Sequence, residues 1–257
     1  MDHSIILEVS GVRQEFGGLV ALDDVSFRVR ENQRLALIGP NGAGKTTLLN
    51  IIAGSLSPTA GTVLLDGKSL NGLPAHERVR RGIGRTFQQA LVFADMTVLE
   101  NIMVGCHLRG RSRLLDAALR LPRTRKEEED IYLEALRFLN LVGLGTRADT
   151  RAGNLPFGQQ RLLAIGRALA GRPRVLLLDE PAAGLNRLEK SALIDLIRRL
   201  GEMDITTILV EHDMEVVMQL AEWIVVLDHG KRLAQGTPEE VRRNPAVVEA
   251  YLGTEAE

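Results

Sequence analysis

The hydrophobic pattern of the first third of the chain predicts a region rich in β-strands. Residues 5–9 and 25–29 alternate apolar and polar side chains, as strands do when one face is buried. Residues 35–38 form a continuous apolar run, which is typical of a strand buried on both faces. Residues 62–65 predict a further strand that ends in an Asp-Gly turn. A helix over residues 45–53, followed by a capping glycine, separates the last two strands.

The pattern becomes helical in the middle of the chain. Six arginines lie between residues 109 and 125, and Lys126 is followed by an acidic run over residues 127–130. We expect these charge runs to be solvated surface. One helical face is predicted from the spacing of five apolar residues, Ile131, Leu133, Leu136, Phe138 and Leu139. We therefore expect a helical lobe over residues 89–155, inserted into a single domain that spans residues 1–257.

Helices and strands alternate again after this lobe. A helix over residues 159–170 ends at a glycine with a proline beyond it, and a capping box of Thr237 with Glu240 starts a late helix. Between them the pattern predicts strands over residues 175–178 and 205–210. It also predicts an amphipathic helix over 188–200 and a hairpin over 224–235. This alternation predicts an α/β fold.

The composition excludes several classes of protein. The 257 residues are 45% hydrophobic and 25% charged, which is ordinary globular usage and argues against disorder. Because 32 basic residues balance 33 acidic ones, the net charge of −1 gives no reason to expect nucleic acid as a partner. The single cysteine, Cys106, excludes an internal disulfide framework, and we expect it to be a small buried apolar residue.

The hydropathy of the chain bears on its location. No apolar run approaches the roughly 20 residues needed to cross a bilayer, and the first residues lack the basic and apolar regions of a secretory signal. We therefore expect a soluble chain in a reducing compartment, which acts at a membrane only through a partner.

A phosphate-binding motif follows the predicted strand 35–38. Gly39-Pro40-Asn41-Gly42-Ala43-Gly44-Lys45-Thr46 matches G-x-x-x-x-G-K-[ST], and a helix is predicted directly after it. The glycines allow backbone N–H groups to curl around phosphate oxygens, and the helix N-terminus adds a favourable dipole. Lys45 would then bridge the β- and γ-phosphates, and the Thr46 hydroxyl would coordinate Mg²⁺. Thr47 is the last residue of this segment that is expected to contact the nucleotide.

A second motif supplies carboxylates for the same chemistry. The apolar strand 175–178 runs directly into Asp179 and Glu180. A carboxylate at the end of such a strand places Asp179 beside the metal ion, either directly or through water. Glu180, one residue further on, lies where the attacking water needs a base. The two motifs together predict a P-loop NTPase.

The segment before the helix 159–170 narrows this class. Asn154-Leu155-Pro156-Phe157-Gly158-Gln159-Gln160 resembles the L-S-G-G-Q signature of ABC-type ATPases, with matches at Leu155, Gly158 and Gln159. In that family this signature contacts the nucleotide. Pro156 replaces the signature serine and Phe157 replaces a glycine, so the serine hydroxyl is absent and the helix N-terminus with Gly158 would have to supply backbone N–H groups to the phosphate.

Three further residues lie along the chain in the same order as functional residues of this family. Gln88, at the edge of the predicted lobe, stands where the family has its Q-loop glutamine, which implies a catalytic and metal-contacting role. His212 follows a predicted strand, as the family's switch histidine does, which implies a contact with the γ-phosphate. Phe16 precedes two glycines and could stack on adenine. Asn186, in contrast, stands where many members carry an acidic residue.

The resemblance covers essentially the whole chain and is closest to one subgroup. Residues 85–88, 109–125, 179–186 and 250–253 resemble the ATP-binding subunit of branched-chain (hydrophobic) amino acid importers, of the type with two non-identical ATPase subunits. The resemblance implies a P-loop NTPase (RecA-like) core with an antiparallel β subdomain and an inserted helical lobe, the ABC ATPase fold. It also implies ATP and Mg²⁺ as ligands and hydrolysis of ATP as the reaction.

The resemblance implies partners and a location as well. The partners would be integral membrane permease subunits, a second ATPase subunit that is either a paralogue or a copy of this chain, and indirectly a substrate-binding protein. The chain would be peripheral, on the cytoplasmic face of the inner membrane. Each ATP would lie between the phosphate loop of one subunit and the signature of the other, while Gln88 and the lobe would transmit closure to the permease.

Other functions share parts of this pattern. A soluble ATPase of translation or DNA repair would be expected to have a second phosphate loop, a long coiled coil or a basic groove. A nucleotide-binding module without hydrolysis would be expected to lack Glu180 or His212. Within the transporters, import of amides or urea and export of lipid are the alternatives to import of amino acids.

Overall fold

Two β-sheets and the helices packed on them make up the part of the chain that this computed structural model describes, residues 4–86, 91–107 and 122–252. The strands are β1 (Ile5–Phe16), β2 (Leu19–Arg30), β3 (Arg34–Ile38), β4 (Ala60–Leu65), β5 (Lys68–Ser69), β6 (Ile83–Arg85), β7 (Val175–Asp179), β8 (Thr206–Val210), β9 (Trp223–Asp228) and β10 (Lys231–Gly236). The helices are α1 (Lys45–Ala53), α2 (Ala75–Arg80), α3 (Val98–His107), α4 (Pro122–Leu141), α5 (Phe157–Ala170), α6 (Arg187–Glu202), α7 (Met214–Leu220), α8 (Pro238–Arg242) and α9 (Pro245–Leu252).

The smaller sheet is antiparallel and has the strand order β2-β1-β4-β5. Its strands bury alternate residues, as the pattern of 5–9 and 25–29 predicts. Both β1 and β2 are longer than those predicted segments. The reason is that register shifts along the β1–β2 pair interrupt the strict alternation of side chains without ending the pairing.

The larger sheet has the order β10-β9-β3-β8-β7-β6 and is parallel except for β10. The strand β3 is buried after its first residue, which confirms the prediction that residues 35–38 form a strand covered on both faces. Every residue of β7 and β8 is buried as well. Because these three strands are parallel, the loops that follow them meet at one edge of the sheet. The phosphate loop, Glu180 and His212 all follow these strands and therefore share that edge.

The helical region packs α3 and α4 against α5 around one apolar cluster. Ile131, Phe138 and Leu139 are buried there as predicted, but Leu133 is 49% exposed, so its place on this face is wrong. Fully buried Ala135 takes that place, because positions i, i+4, i+7 and i+8 from Ile131 share one side of a helix. Cys106 is buried in the same cluster, which confirms the expectation for it.

The helical cluster continues past residue 155, because α5 is part of it. The division of the domain 1–257 into a body with an inserted lobe over 89–155 stays a prediction. In the part of the chain that the structure describes, no helix combines the length and apolar character needed to span a bilayer.

A buried arginine fixes the far end of α1, the helix that begins at the phosphate loop. Arg78, on α2, is 1% exposed and donates from Nη1 to the carbonyls of Ile51 and Ile52, at 2.5 and 3.0 Å. These carbonyls lie in the last turn of α1, where a cation also complements the helix dipole. Gly54 ends the helix with φ of 81°, as its predicted capping role requires.

Candidate functional site

The phosphate loop runs from the end of β3 to the start of α1 and approaches its neighbours too closely for a side chain at two positions. A Cβ at Gly39 would lie 2.1 Å from the carbonyl oxygen of Leu227, and Gly39 has φ of +149°. A Cβ at Gly44 would lie 2.6 Å from Leu22 Cδ2, with φ of +97°. Glycine is therefore required at both ends of the loop, where it crosses β9 and β2.

Lys45 lies inside this loop and is 8% exposed. Its ammonium donates to the carbonyls of Gly39 and Pro40, at 2.7 and 2.8 Å. Burial lowers the pKa of Lys45, while the carboxylates of Glu180 and Asp179 act to raise it. The loop therefore holds a cation at its centre. The helix that follows has no side-chain cap, so the N–H groups of its first turn remain open to an anion.

Asp179 is the last residue of β7, which is separated from β3 by β8 in the sheet. Its carboxylate interacts with Lys45 in the phosphate loop. Asp179 is 3% exposed, and Arg85 Nη2 lies 3.3 Å from its Oδ2. Arg85 also donates to Asn50 Oδ1 on α1, at 2.7 Å, and so connects this carboxylate to the phosphate-loop helix. Burial raises the pKa of Asp179, and the nearby charges of Arg85 and Lys45 oppose that rise.

Glu180 begins the loop over residues 180–186, which we call the base loop. Its backbone is left-handed, with φ of 47°, which is unusual for a residue with a side chain. Its N–H donates to the carbonyl of Val210 at 2.9 Å, and its own carbonyl accepts from Arg161 on α5. The strained conformation is therefore held from both sides, and it directs Glu180 away from the strand.

His212 lies in the loop over residues 211–213, which we call the histidine loop. His212 Nδ1 lies 4.0 Å from Glu180 Oε1, and the imidazole is 60% exposed. Glu211 in the same loop is fully buried, and its pKa is raised by burial. Asp213 caps α7 by accepting from the N–H groups of Glu215 and Val216. The structure therefore brings the proposed base and the proposed γ-phosphate contact together at one edge of the sheet.

The signature segment leads into α5, which starts two residues before the predicted helix. Leu155 is 5% exposed in the helical cluster. A Cβ at Gly158 would lie 2.3 Å from Glu189 Oε1, so the glycine allows α5 to approach the start of α6 within the same chain. Gly158 therefore has a packing role in addition to the phosphate contact expected for it. Contact of Leu155, Gly158 and Gln159 with a nucleotide stays a prediction.

Phe16, Gln88 and Asn186 are the aromatic and amide residues that the sequence singled out, and the structure places them differently. Phe16 ends β1 and is 48% exposed, in the hairpin whose second strand passes over Gly44. Gln88 lies outside the described residues. Asn186 is the N-cap of α6 and forms a capping box with Glu189, so its amide supports the helix start.

Sequence reasoning missed three charged residues of the site. Arg85 ends β6, directly beside β7, and the shared edge of parallel strands was the signal that could have found it. Arg161 lies one turn into α5, where only the fold brings it to the Glu180 carbonyl. Glu211 follows an apolar strand, as Asp179 does, and that position marks it as a candidate for the same edge.

Comparison with known proteins gives matches that together cover nearly the whole chain. A family model described as ABC transporter matches residues 22–183, and one described as Branched-chain amino acid ATP-binding cassette transporter matches residues 231–257. The chain is also similar to BraF of Pseudomonas aeruginosa, a high-affinity branched-chain amino acid transport ATP-binding protein. The two are 46% identical over 249 residues, which cover 96% of this chain and 98% of the relative.

Solved structures share the fold. The ADP conformation of an ATP-binding cassette of an ABC transporter has a TM-score of 0.84 and 34% identity, covering 97% of this chain and 99% of that one. A dimeric ATP-binding cassette in a post-hydrolysis state with ADP and Pi has a TM-score of 0.77 and 28% identity, covering 91% and 99%. These matches confirm the predicted fold class. The chain therefore belongs to the ABC transporter family, as an ATP-binding subunit that hydrolyses ATP and couples hydrolysis to transport.

Proposed function

We propose that the chain powers an importer of branched-chain, hydrophobic amino acids. The observation that carries the proposal is that the C-terminal segment, 231–257, matches the family model described as Branched-chain amino acid ATP-binding cassette transporter, while residues 22–183 match the general ABC transporter model. The same class of cargo is printed in the name of the relative that is 46% identical over nearly the full chain. Import of amides or urea and export of lipid are outcomes that the experiment below distinguishes.

The residues after β3 and β7 fit a magnesium nucleotide. Thr46 offers an exposed hydroxyl and Asp179 a buried carboxylate, which are the hard oxygen ligands that Mg²⁺ prefers. Among the described residues, no group of three or more His, Cys, Asp or Glu side chains could hold a metal ion. This also fits Mg²⁺, which in nucleotide sites has few protein ligands besides the phosphates. When bound, Mg²⁺ would neutralise charge on the β- and γ-phosphates; Gln88 is proposed as a further ligand.

Lys45 and the backbone of the phosphate loop are proposed to hold the phosphates. The two carbonyl partners of Lys45 are neutral acceptors, and phosphate oxygens would form stronger, charge-assisted hydrogen bonds with the same ammonium. The loop N–H groups from Pro40 to Thr47 would surround the phosphates, apart from the proline, which has none. Phe16 would stack on the adenine.

Glu180 is proposed as the base for hydrolysis and His212 as the contact to the γ-phosphate. The water oxygen would attack the γ-phosphorus while the bond to the ADP oxygen breaks, and Glu180 would accept a proton of that water. The 4.0 Å separation of His212 Nδ1 and Glu180 Oε1 allows both side chains to reach one γ-phosphate and its water. The backbone contacts that hold Glu180 in a left-handed conformation would orient it for this role.

A second ATPase subunit is proposed to cover the face that carries the signature. Leu188 is 83% exposed at the start of α6, and Phe157 is 51% exposed at the start of α5. These large apolar side chains flank the uncapped N-terminus of α5, which is proposed to donate N–H groups to the γ-phosphate held by the other subunit. The dimeric structure similar to this chain supports such an assembly, whether the partner is a paralogue or a second copy.

Integral membrane permease subunits are proposed to dock in a groove between β6 and the helices α3 and α5. The groove has a volume of about 230 Å³, and Leu91 and Phe93 line it with exposed apolar surface. A permease segment seated there would contact these two apolar side chains. This contact would keep the chain peripheral, on the cytoplasmic face of the inner membrane, while a substrate-binding protein acts on the permease from the other side.

Transport by the assembled complex tests the proposal. The chain is purified from its own membrane in mild detergent, and the complex that co-purifies is reconstituted into lipid vesicles with its ATPase subunits facing out. We expect ATP added outside to drive movement of radiolabelled leucine across the vesicle membrane, with isoleucine and valine as competitors. A matched complex that carries Glu180→Gln should bind ATP and fail to transport.

Two results would contradict the proposal. Movement of acetamide or urea without leucine would assign a different cargo to the same ATPase. Recovery of the chain without any integral membrane protein, with full ATPase activity, would favour a soluble function.

A further inference from the structure

Glu211 joins the base loop and the histidine loop through its two carboxylate oxygens. The residue has no exposed surface. Oε1 accepts from the N–H of Ala182, in the base loop, at 2.7 Å. Oε2 accepts from the N–H groups of His212 and Asp213, in its own loop, at 3.2 and 3.4 Å. One buried side chain therefore spans the two segments that carry the proposed base and the proposed γ-phosphate contact.

We infer that Glu211 is a positioning residue for ATP hydrolysis, which holds the base loop and the histidine loop in a fixed register so that Glu180 and His212 face one γ-phosphate. This inference rests on the proposed function of those two residues. Glu211 acts through the backbone that carries them and has no contact of its own with the reacting atoms.

The backbone around Glu211 supports this role. Glu180 donates its N–H to the carbonyl of Val210, the residue directly before Glu211, at 2.9 Å. The Glu180 carbonyl accepts from Arg161, whose charge also interacts with Glu211. The N–H and the carbonyl of Glu180 are therefore held by the end of β8, directly before the histidine loop, and by the helix that follows the signature. A change in the register of the two loops would move the base directly.

The surroundings of Glu211 require a carboxylate and not merely a side chain of that size. Among the described residues its three hydrogen-bond partners are backbone N–H donors, and a carboxylate accepts at both oxygens. Glutamine replaces one oxygen with an NH₂ group, so it can serve one loop but would turn a donor towards the other. Since an unpaired buried donor is costly, glutamine should release one of the loops.

The fold has a second connection that should survive this change. Lys190 Nζ, on α6 after the base loop, lies 2.6 Å from Asp213 Oδ2 in the histidine loop. Because this ion pair keeps α6 beside the histidine loop, Glu211→Gln is expected to loosen the register at Glu180 while the chain stays folded. That expectation separates a positioning role from a purely structural one.

The test compares binding and turnover in the Glu211→Gln variant. ATP affinity is measured on the isolated subunit with a fluorescent ATP analogue, and kcat and KM for ATP are measured on the assembled transporter. We expect kcat to fall on the order of 10- to 100-fold, in line with the loss of charge-assisted hydrogen bonds, with KM and ATP affinity within about twofold of wild type. The subunit should remain folded, with its unfolding midpoint lowered only by the loss of these buried hydrogen bonds.

Glu240→Gln is the matched control. Glu240 also accepts a backbone N–H, that of Thr237, at 2.7 Å, but it lies in the capping box of α8, away from both loops. We expect its kcat to stay at the wild-type value. A Glu211→Gln complex with wild-type kcat, or with kcat unchanged and only KM raised, would overturn the inference.

Two further variants keep the result decisive. Should Glu211→Gln fail to fold, Glu211→Asp is tested in its place, because its shorter carboxylate keeps the local contacts but does not reach Ala182. Wild-type kcat in Glu211→Asp, or failure of both variants to fold, would overturn the inference. Glu180→Gln is measured in parallel. Turnover that survives Glu180→Gln would refute the proposed base itself, whereas loss of turnover there with normal turnover in Glu211→Gln would refute only the role of Glu211.

Discussion

The contact between Gly158 and Glu189 predicts a substitution whose effect depends on the background. In Gly158→Ala the new Cβ would lie 2.3 Å from Glu189 Oε1 and 2.5 Å from its Cδ, so the Glu189 side chain must rotate away. Glu189 then loses the hydrogen bond that it accepts from the Asn186 N–H at 3.0 Å, half of the capping box of α6. Loss of such a cap costs about 1 kcal/mol of unfolding free energy.

The gain in helix propensity opposes this loss. Alanine is favoured over glycine in a helix by up to about 1 kcal/mol, so Gly158→Ala alone should leave the unfolding free energy nearly unchanged. Glu189→Ala alone should lower it by about 1 kcal/mol. In the Glu189→Ala background there is no cap left to lose, so Gly158→Ala should raise the unfolding free energy by about 1 kcal/mol. The expected coupling energy is therefore about 1 kcal/mol.

Urea unfolding of the four purified proteins measures this coupling. The midpoints give the differences directly, provided that the slope of the transition is the same in each protein. The same effect of Gly158→Ala in both backgrounds would refute the packing of the signature helix against the start of α6. Gly158 would then be needed only for the close approach of phosphate that the motif predicts.

Other changes test separate parts of the site. Lys45→Ala removes charge-assisted hydrogen bonds worth roughly 1.5–3 kcal/mol each, so titration with a fluorescent ATP analogue should show affinity reduced by about 10- to 150-fold; unchanged affinity would place the nucleotide elsewhere. Gly158→Asp displaces Glu189 as Gly158→Ala does but adds a negative charge, so the ATPase activity of the assembled transporter should fall below that of Gly158→Ala. The isolated subunit should keep near-normal ATP affinity. Equal ATPase activity of the two variants would contradict the contact with the partner's nucleotide. The hydrogen bond from Lys190 holds the pKa of Asp213 below its ordinary value of 3.8, so its stabilisation is fully present above that value and is lost as the pH falls through the lowered pKa. The difference in unfolding free energy between wild type and Asp213→Asn should therefore shrink as the pH falls from about 6 towards about 3, and a constant difference in urea unfolding would contradict this assignment.

The local sequence pattern was sufficient to predict elements whose ends are set by residues close to them in the sequence. The helix 45–53 and its capping Gly54 are confirmed to the residue, because a strand, a glycine-rich loop and a left-handed cap all occur in sequence order. The capping box of Thr237 and Glu240 is confirmed for the same reason, since both partners lie in one turn. The short helices α2 and α7 were not predicted, because they contain too few turns to show a period.

Contacts between distant segments limited what could be predicted of the site. The phosphate loop and the pair Asp179 and Glu180 are predicted as site residues because each is a continuous motif. Arg85 and Glu211 belong to the site because their strands end at the same sheet edge as β7, and that placement follows only once the parallel sheet is known. Arg161 reaches the site from a helix, and no local spacing encodes that contact. Leu133 shows the opposite error, because an apolar residue was assigned to a buried face without regard to its angle around the helix.

The central claim is that this chain hydrolyses ATP with Glu180 as the base, and one measurement tests it most directly. ATP binding to the isolated subunit and ATPase of the assembled transporter are compared between wild type and Glu180→Gln, which keeps the size of the side chain. Because a general base contributes roughly 10²- to 10⁴-fold in rate, we expect unchanged affinity and turnover reduced by that factor. Turnover within a few-fold of wild type in Glu180→Gln would contradict the claim.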